Sequence, residues 1–157
     1  MNEVPLVFIK NGKVNKTKKS AFNVLQELHK KYGDVYVIDI DGFKRNRAHI
    51  DIYKKVTSKP FLWIDASPRC LEDVMDLVVT GAKIVILRSI MSDASFREIR
   101  GMCDIELFLA GREKDIIKKA KKFGFDGVIL FNEKRKMEKD ISIWRAYPRE
   151  GKVIEIE

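Results

Sequence analysis

The chain has 157 residues, a one-domain length that can bury a real core yet falls well short of the roughly 250 residues of a complete (β/α)8 barrel. No run of about 18 apolar residues is present to cross a bilayer, and the first residues lack the long apolar core of a signal peptide, so a cytoplasmic protein without a membrane partner is expected. The 31 basic and 23 acidic residues give a formal net charge of +8, thickest at 10–19, 114–122 and 134–139. Such an excess attracts anionic metabolites or polyanions. Many of the lysines sit beside Glu or Asp, however, and the Lys/Ile/Glu-rich composition with a single glutamine, Gln26, suits growth at high temperature. With no aromatic-glycine RNA motif, zinc-finger spacing or basic zipper, nucleic acid is not the expected partner. Cys70 and Cys103 lie far apart, without CxxC spacing or a nearby histidine, and are expected to be free thiols.

In chain order, the first strand is expected at 6–9, ended by the turn signal Lys10-Asn11-Gly12 and a basic loop. Ser20 is a good N-cap for a helix whose Ala21, Val24, Leu25 and Leu28 share one face. A second strand follows Gly33 at 35–40, then a helix over about 49–57 carrying Ile52, Tyr53 and Val56. Pro60 marks the entry to a third strand at 61–64, where Trp63 reads as core. Leu71, Val74, Met75 and Val78 stripe the next helix, closed by Gly81 where a left-handed C-cap is needed.

The fourth strand is expected at 84–87, a helix near 92–100, and the fifth strand at 105–109. A helix with Ile116, Ile117, Ala120 and Phe123 ends at Gly124, before a sixth strand at 128–131. The helix–Gly–strand junction recurs at Gly33, Gly81 and Gly124, which supports one repeating βα architecture. The tail departs from the repeat. Residues 134–139 form a charged connector, while 141–147 and 153–156 read as short strands joined through Pro148-Arg149-Glu150-Gly151. The expected fold class is therefore α/β: one domain over 1–157, a truncated TIM-barrel-like set of about six parallel βα repeats with a C-terminal β-hairpin. The hairpin either closes a small barrel or shields an open edge. Its Trp144 and Tyr147 suit a subunit interface, and a homo-oligomer is expected.

In parallel βα folds the chemistry gathers at the carboxyl ends of the strands. There the sequence places Asp39, Asp41 and Asp65 with Lys10, Ser67, Arg69, Arg88 and Ser89, a mixed-charge cluster suited to a phosphorylated, hydroxyl-rich ligand. Asp65, then Asp39, are the candidates for proton transfer, and the other six for ligand binding. Arg88 has two readings, holding an oxyanion or pairing with Asp65 or Asp39. Two carboxylates without further ligand signals do not define a Mg²⁺ site, so no metal or cofactor is assigned. His29, at the lysine-rich end of the first helix, reads as solvated. His49 follows Arg45-Asn46-Arg47 in a loop on the expected active face.

The order of motifs also resembles a known family. Ile9-Lys10-Asn11-Gly12-Lys13-Val14, Tyr36-Val37-Ile38-Asp39-Ile40-Asp41-Gly42, Leu62-Trp63-Ile64-Asp65-Ala66, Arg69, Glu72-Asp73-Val74 and Gly81-Ala82 follow one another as in the HisA/HisF barrels of histidine biosynthesis, and particularly their archaeal relatives. The resemblance implies a ribulose-phosphate-binding type of barrel with a phosphorylated sugar or ribotide-like ligand. Departures from the family pattern argue that its isomerase activity is lost. The family's first-strand aspartate corresponds to Phe8, which cannot transfer a proton, and the fifth strand brings Ala110 and Gly111 where a second carboxylate belongs. Phosphate-binding glycines are replaced by Ala66-Ser67-Pro68-Arg69 and Leu87-Arg88-Ser89, and Pro68 offers no N–H. Strands seven and eight, which carry a second phosphate site in the family, are not recognisable. Two further roles stand beside metabolite binding: a non-catalytic assembly partner, or a polyanion-binding protein whose lysine runs would have to converge on one face.

Overall fold

The structure is a computed structural model that describes residues 2–56, 59–131 and 140–156. Its centre is a closed barrel of eight strands. These are β1 (Glu3–Lys10), β3 (Val35–Asp39), β4 (Leu62–Asp65), β5 (Ile84–Arg88), β6 (Glu106–Gly111), β7 (Gly127–Leu130), β8 (Ser142–Tyr147) and β9 (Lys152–Glu155). A two-residue strand, β2 (Lys13–Val14), hangs on the end of β1. The strands from β1 to β8, β2 aside, are parallel neighbour to neighbour. β9 returns antiparallel to both β8 and β1 and closes the circle. Six helices cross over among the described residues: α1 (Ala21–Tyr32), α2 (Ile40–Arg45), α3 (Ile50–Val56), α4 (Leu71–Val78), α5 (Asp93–Met102) and α6 (Ile116–Lys122).

Two apolar layers follow from the alternation of side chains along each strand. Leu6, Tyr36, Ile38, Trp63, Ile86, Phe108, Ile129, Trp144 and Val153, all strand residues, pack together inside the barrel. Their neighbours one position along, such as Val37, Ile64, Val85, Leu107 and Val128, face outward. There they meet Leu25 of α1, Val74 and Leu77 of α4, Phe96 and Ile99 of α5 and Ile117 of α6. Inside, Trp63 lies edge-on to Trp144 and Phe108, with ring centroids 4.8 and 5.5 Å away. Gly127 makes this possible, because a Cβ there would fall 2.7 Å from the Phe108 ring.

Several expectations hold in the element sequence. Ser20 Oγ caps α1 by accepting from Asn23 N–H, and Gly33, Gly81 and Gly124 all adopt positive φ before a strand. Cys70 and Cys103 are free thiols, and no described helix is long and apolar enough to cross a membrane.

Four points are corrected. The parallel set has seven strands rather than about six, because β8 pairs parallel to β7. Of the two roles open to the terminal hairpin it takes the first, closing the barrel, so Trp144 is 6% exposed inside it and, unlike the half-buried Tyr147, cannot serve as the expected interface. The second strand ends at Asp39, and Ile40 opens the unforeseen helix α2. His29 is not a solvated side chain: its ring stacks on Phe61 at 4.0 Å and its Nδ1 lies 2.8 Å from the Gly33 carbonyl oxygen. The charged connector expected at 134–139 lies outside the described residues.

Candidate functional site

The carboxyl ends of the parallel strands share one end of the barrel, but the candidate carboxylates there divide between two layers. Asp65 follows the inward parity of Trp63 and is fully buried. Both its oxygens are engaged: Arg88 donates from Nε to Oδ1 at 3.1 Å and from Nη2 to Oδ2 at 2.6 Å, and the Tyr36 hydroxyl donates to Oδ2 at 2.5 Å. Of the two readings of Arg88, this is the ion pair with Asp65. Burial pushes the Tyr36 hydroxyl well above its ordinary pKa, reinforced by the Asp65 charge, so it is a donor at neutral pH. Burial works against the charged form of Arg88, but Asp65 outweighs it and raises the guanidinium pKa further.

Arg88 also fills the mouth. Its guanidinium carbon lies 4.6 Å from the Phe131 ring centroid and 5.1 Å from that of Phe43. Phe43 comes from α2, which lies across the barrel end because Ile40 turns the chain straight out of β3 into a helix. Arg69 holds that helix down by donating to the Phe43 carbonyl oxygen at 2.7 Å. Gly42 allows the close approach, since a Cβ there would sit 2.7 Å from the Ala66 carbonyl oxygen. Phe8 packs against the barrel interior, and Ala110 is fully buried there. The mouth centre is thus occupied by the protein's own side chains. At its β5–β6 side, Ser89 Oγ and Glu113 Oε2 are buried and find no hydrogen-bond partner among the described residues. Ser67 is buried with a left-handed backbone, φ 50°, in the turn after β4.

Asp39 points the other way, into the helix layer. It caps α2 by accepting from Gly42 N–H at 3.0 Å, and it also accepts from His49 N–H at 2.8 Å and from the Tyr53 hydroxyl at 2.6 Å. His49 Nδ1 lies 3.0 Å from both of its oxygens. Burial alone would raise the Asp39 pKa, but the bonds from His49 and Tyr53 prevail and lower it.

This network ties α2 and the following loop to the β1–β2 turn. Asn11 N–H donates to Asp41 Oδ2 at 2.7 Å and Gly12 N–H donates to His49 Nε2 at 2.9 Å. Asn11 and Gly12 form the two-residue turn between paired Lys10 and Lys13, with φ of 51° and 75°, as an Asn-Gly type I′ hairpin requires. The atoms of Asp39, Asp41 and His49 come within 4.8 Å of one another, close enough for a metal ion. The Asp39 oxygens and both ring nitrogens are already bonded to protein groups. Asp41 Oδ1 lies 3.0 Å from Arg45 Nη2, yet the two are not aligned for a hydrogen bond. The set therefore reads as a structural clasp.

Beside the clasp, on the same end of the barrel, lies a hollow of about 480 Å³. Asn11, Asp41, Arg45, Arg47, His49 and Asp51 contribute to its walls. Of the residues singled out from sequence, Asp65, Arg88 and Ser89 gather at the mouth with Arg69 at its edge, and Asp41 lines the hollow. Lys10 ends β1 without an ion pair among the described residues. Sequence reasoning missed Phe43, Phe131, Tyr36 and Glu113. The inward alternation along β3 and β7 was the available signal for Tyr36 and Phe131, and nothing local marked Phe43 or Glu113.

Fold and site together define the class: a closed α/β barrel that carries a buried Asp65–Arg88 pair and an Asp39–Asp41–His49 clasp at the carboxyl ends of its parallel strands. No protein-family model matches the chain, and no curated protein matches it.

Proposed function

We propose that the protein is a reduced relative of the HisA/HisF barrels that binds a phosphorylated, hydroxyl-bearing small metabolite in the hollow on its C-terminal face, without the family's isomerisation. The observation that carries this reading is the hollow itself, whose wall holds the exposed guanidiniums of Arg45 and Arg47 together with the carboxylates of Asp51 and of Asp41, the latter 3.0 Å from Arg45. Guanidiniums match phosphate oxygens and carboxylates accept from sugar hydroxyls, so the wall chemistry fits both ends of a sugar phosphate. The loss of isomerisation is supported at the mouth. Proton transfer to and from a sugar needs two free acid–base groups, whereas Asp65 is engaged by Arg88 and Tyr36, and Phe8 and Ala110 replace the others.

The test is a thermal-shift titration with pentose phosphates, free pentoses and inorganic phosphate, because a ligand that binds only the native state raises Tm. A pentose phosphate should stabilise the protein more than either fragment. Arg47→Ala should weaken its binding by about tenfold, the worth of one charge-assisted hydrogen bond, while leaving the unliganded Tm unchanged. If no phosphorylated sugar raises Tm, the reading fails.

A further inference from the structure

The net charge of +8 is not spread evenly over the molecule. At the amino-terminal end of the barrel, Glu3, Asp34, Glu106 and Asp126 line a wide hollow that contains one lysine, Lys83, itself paired with Asp34 at 2.7 Å. At the opposite end, the β1–β2 hairpin and its return loop carry Lys13, Lys16, Lys18 and Lys19, and the α2 segment adds Lys44, Arg45 and Arg47. All seven are exposed.

The two segments are physically joined. Arg45 Nη2 donates to Asn11 Oδ1 at 3.4 Å, and Gly12 N–H is held by His49. The lysine loop is itself folded: Val14 N–H donates to the Lys19 carbonyl oxygen at 3.0 Å, Lys13 bridges to Ser20, and Thr17 Oγ1 donates to the Val14 carbonyl oxygen at 2.8 Å. Arg45 contacts the buried Asp41, while the other six form no ion pair among the described residues. A fixed surface with six unmatched cations repels itself and is relieved by a partner carrying several negative charges.

We infer that this basic face binds the sugar–phosphate backbone of a nucleic acid. Phosphate groups are regularly spaced single charges that lysine and arginine meet one by one, and Asn11 and Asn46, exposed beside the cations, carry side-chain amides of the type that donates to phosphate oxygens. An anionic membrane fits less well, because none of the exposed large apolar residues among those described, Tyr32, Met75, Val79, Ile90 and Met102, belongs to the lysine loop or the α2 segment. Among the described residues no aromatic side chain is exposed on the patch to stack on bases, so the recognition is of backbone and not of sequence. The lysine loop does not line the hollow, although Arg45 and Arg47 belong to both, so the lysines distinguish the two sites.

The experiment measures binding of the full chain to a labelled single-stranded RNA and to a DNA duplex by fluorescence anisotropy, across a range of salt. Binding at low salt should weaken with a log–log slope of roughly −3 to −5, corresponding to about five neutralised phosphates. Lys16→Glu/Lys18→Glu/Lys19→Glu should lose at least tenfold in affinity and reduce the slope by about 2. Lys30→Glu/Lys31→Glu/Lys118→Glu changes the net charge equally on other exposed positions and should retain most of the binding. Three results would overturn the inference: no binding at low salt, equal losses in both triple variants, or tighter binding to phosphatidylserine vesicles than to either nucleic acid. Sugar-phosphate stabilisation should persist in the lysine-loop variant, so the two proposals stand or fall separately.

Discussion

A carboxylate with no exposed surface is stable only when its oxygens are matched, and Asp65 is matched by Arg88 and Tyr36. The partners depend on it in turn, because Arg88, one-fifth exposed, otherwise stands between two phenylalanine rings without its ion-pair partner, left only the longer-range attraction of Glu113. Asp65→Asn is therefore expected to destabilise the fold by about 3 kcal/mol, the lower end for breaking a buried pair, since the guanidinium retains some access to solvent. The fall should appear as a lower urea midpoint with an unchanged m-value. A loss below about 1 kcal/mol would mean that Arg88 swings out to water when its partner is neutralised. This role explains why a strand-end aspartate is weak evidence for catalysis until its neighbours are known.

At the scale of elements, the β1–β2 hairpin and the α2–α3 segment behave as one unit because His49 and Asp41 receive the turn amides. Gly12 N–H favours the neutral ring by donating to Nε2. The hydrogen bond to Asp39 favours the charged ring and, with the Asp39 and Asp41 charges, overcomes the opposing effect of burial, so the His49 pKa is raised. A raised folded-state pKa stabilises the protein in full below the unfolded value of about 6.5, and the contribution disappears as pH climbs through the folded value. The stability difference between the native chain and His49→Gln should accordingly be larger at pH 6 than at pH 9, as read from paired thermal melts. A difference independent of pH would show that the Gly12 bond keeps the ring neutral throughout.

Across the whole molecule, closure is the organising fact. β9 carries hydrogen bonds to β8 on one side and β1 on the other, so a few residues near the end of the chain remove two sheet edges at once. A chain ending at Tyr147 keeps every parallel strand but exposes the edges of β1 and β8 and opens the interior around Trp144. It should lose cooperative unfolding and aggregate in size-exclusion chromatography. A monomeric truncated chain with a sharp thermal transition would show that the seven parallel strands suffice.

The alternation of apolar residues, the recurring glycines and the turn signals made every barrel strand legible in the sequence, including the two of the terminal hairpin, because these are local properties of a chain that must satisfy its own backbone. The Asn-Gly turn and the Ser20 cap were legible for the same reason. What the local pattern could not convey was which layer each carboxylate faces. Asp39 and Asp65 both end strands whose two faces are apolar in the sequence alike, yet Asp39 keeps the outward parity of Val37, among helix-layer groups, while Asp65 keeps the inward parity of Trp63. Nor could it show that Phe43 and Arg88 fill the mouth, or that the lysine loop joins Arg45 and Arg47 on one face. Sequence alone determined the strands, the repeat and the excess of positive charge. Only the tertiary structure decided closure, the occupant of the mouth and the direction in which the charge points, since each depends on contacts between residues far apart in the chain.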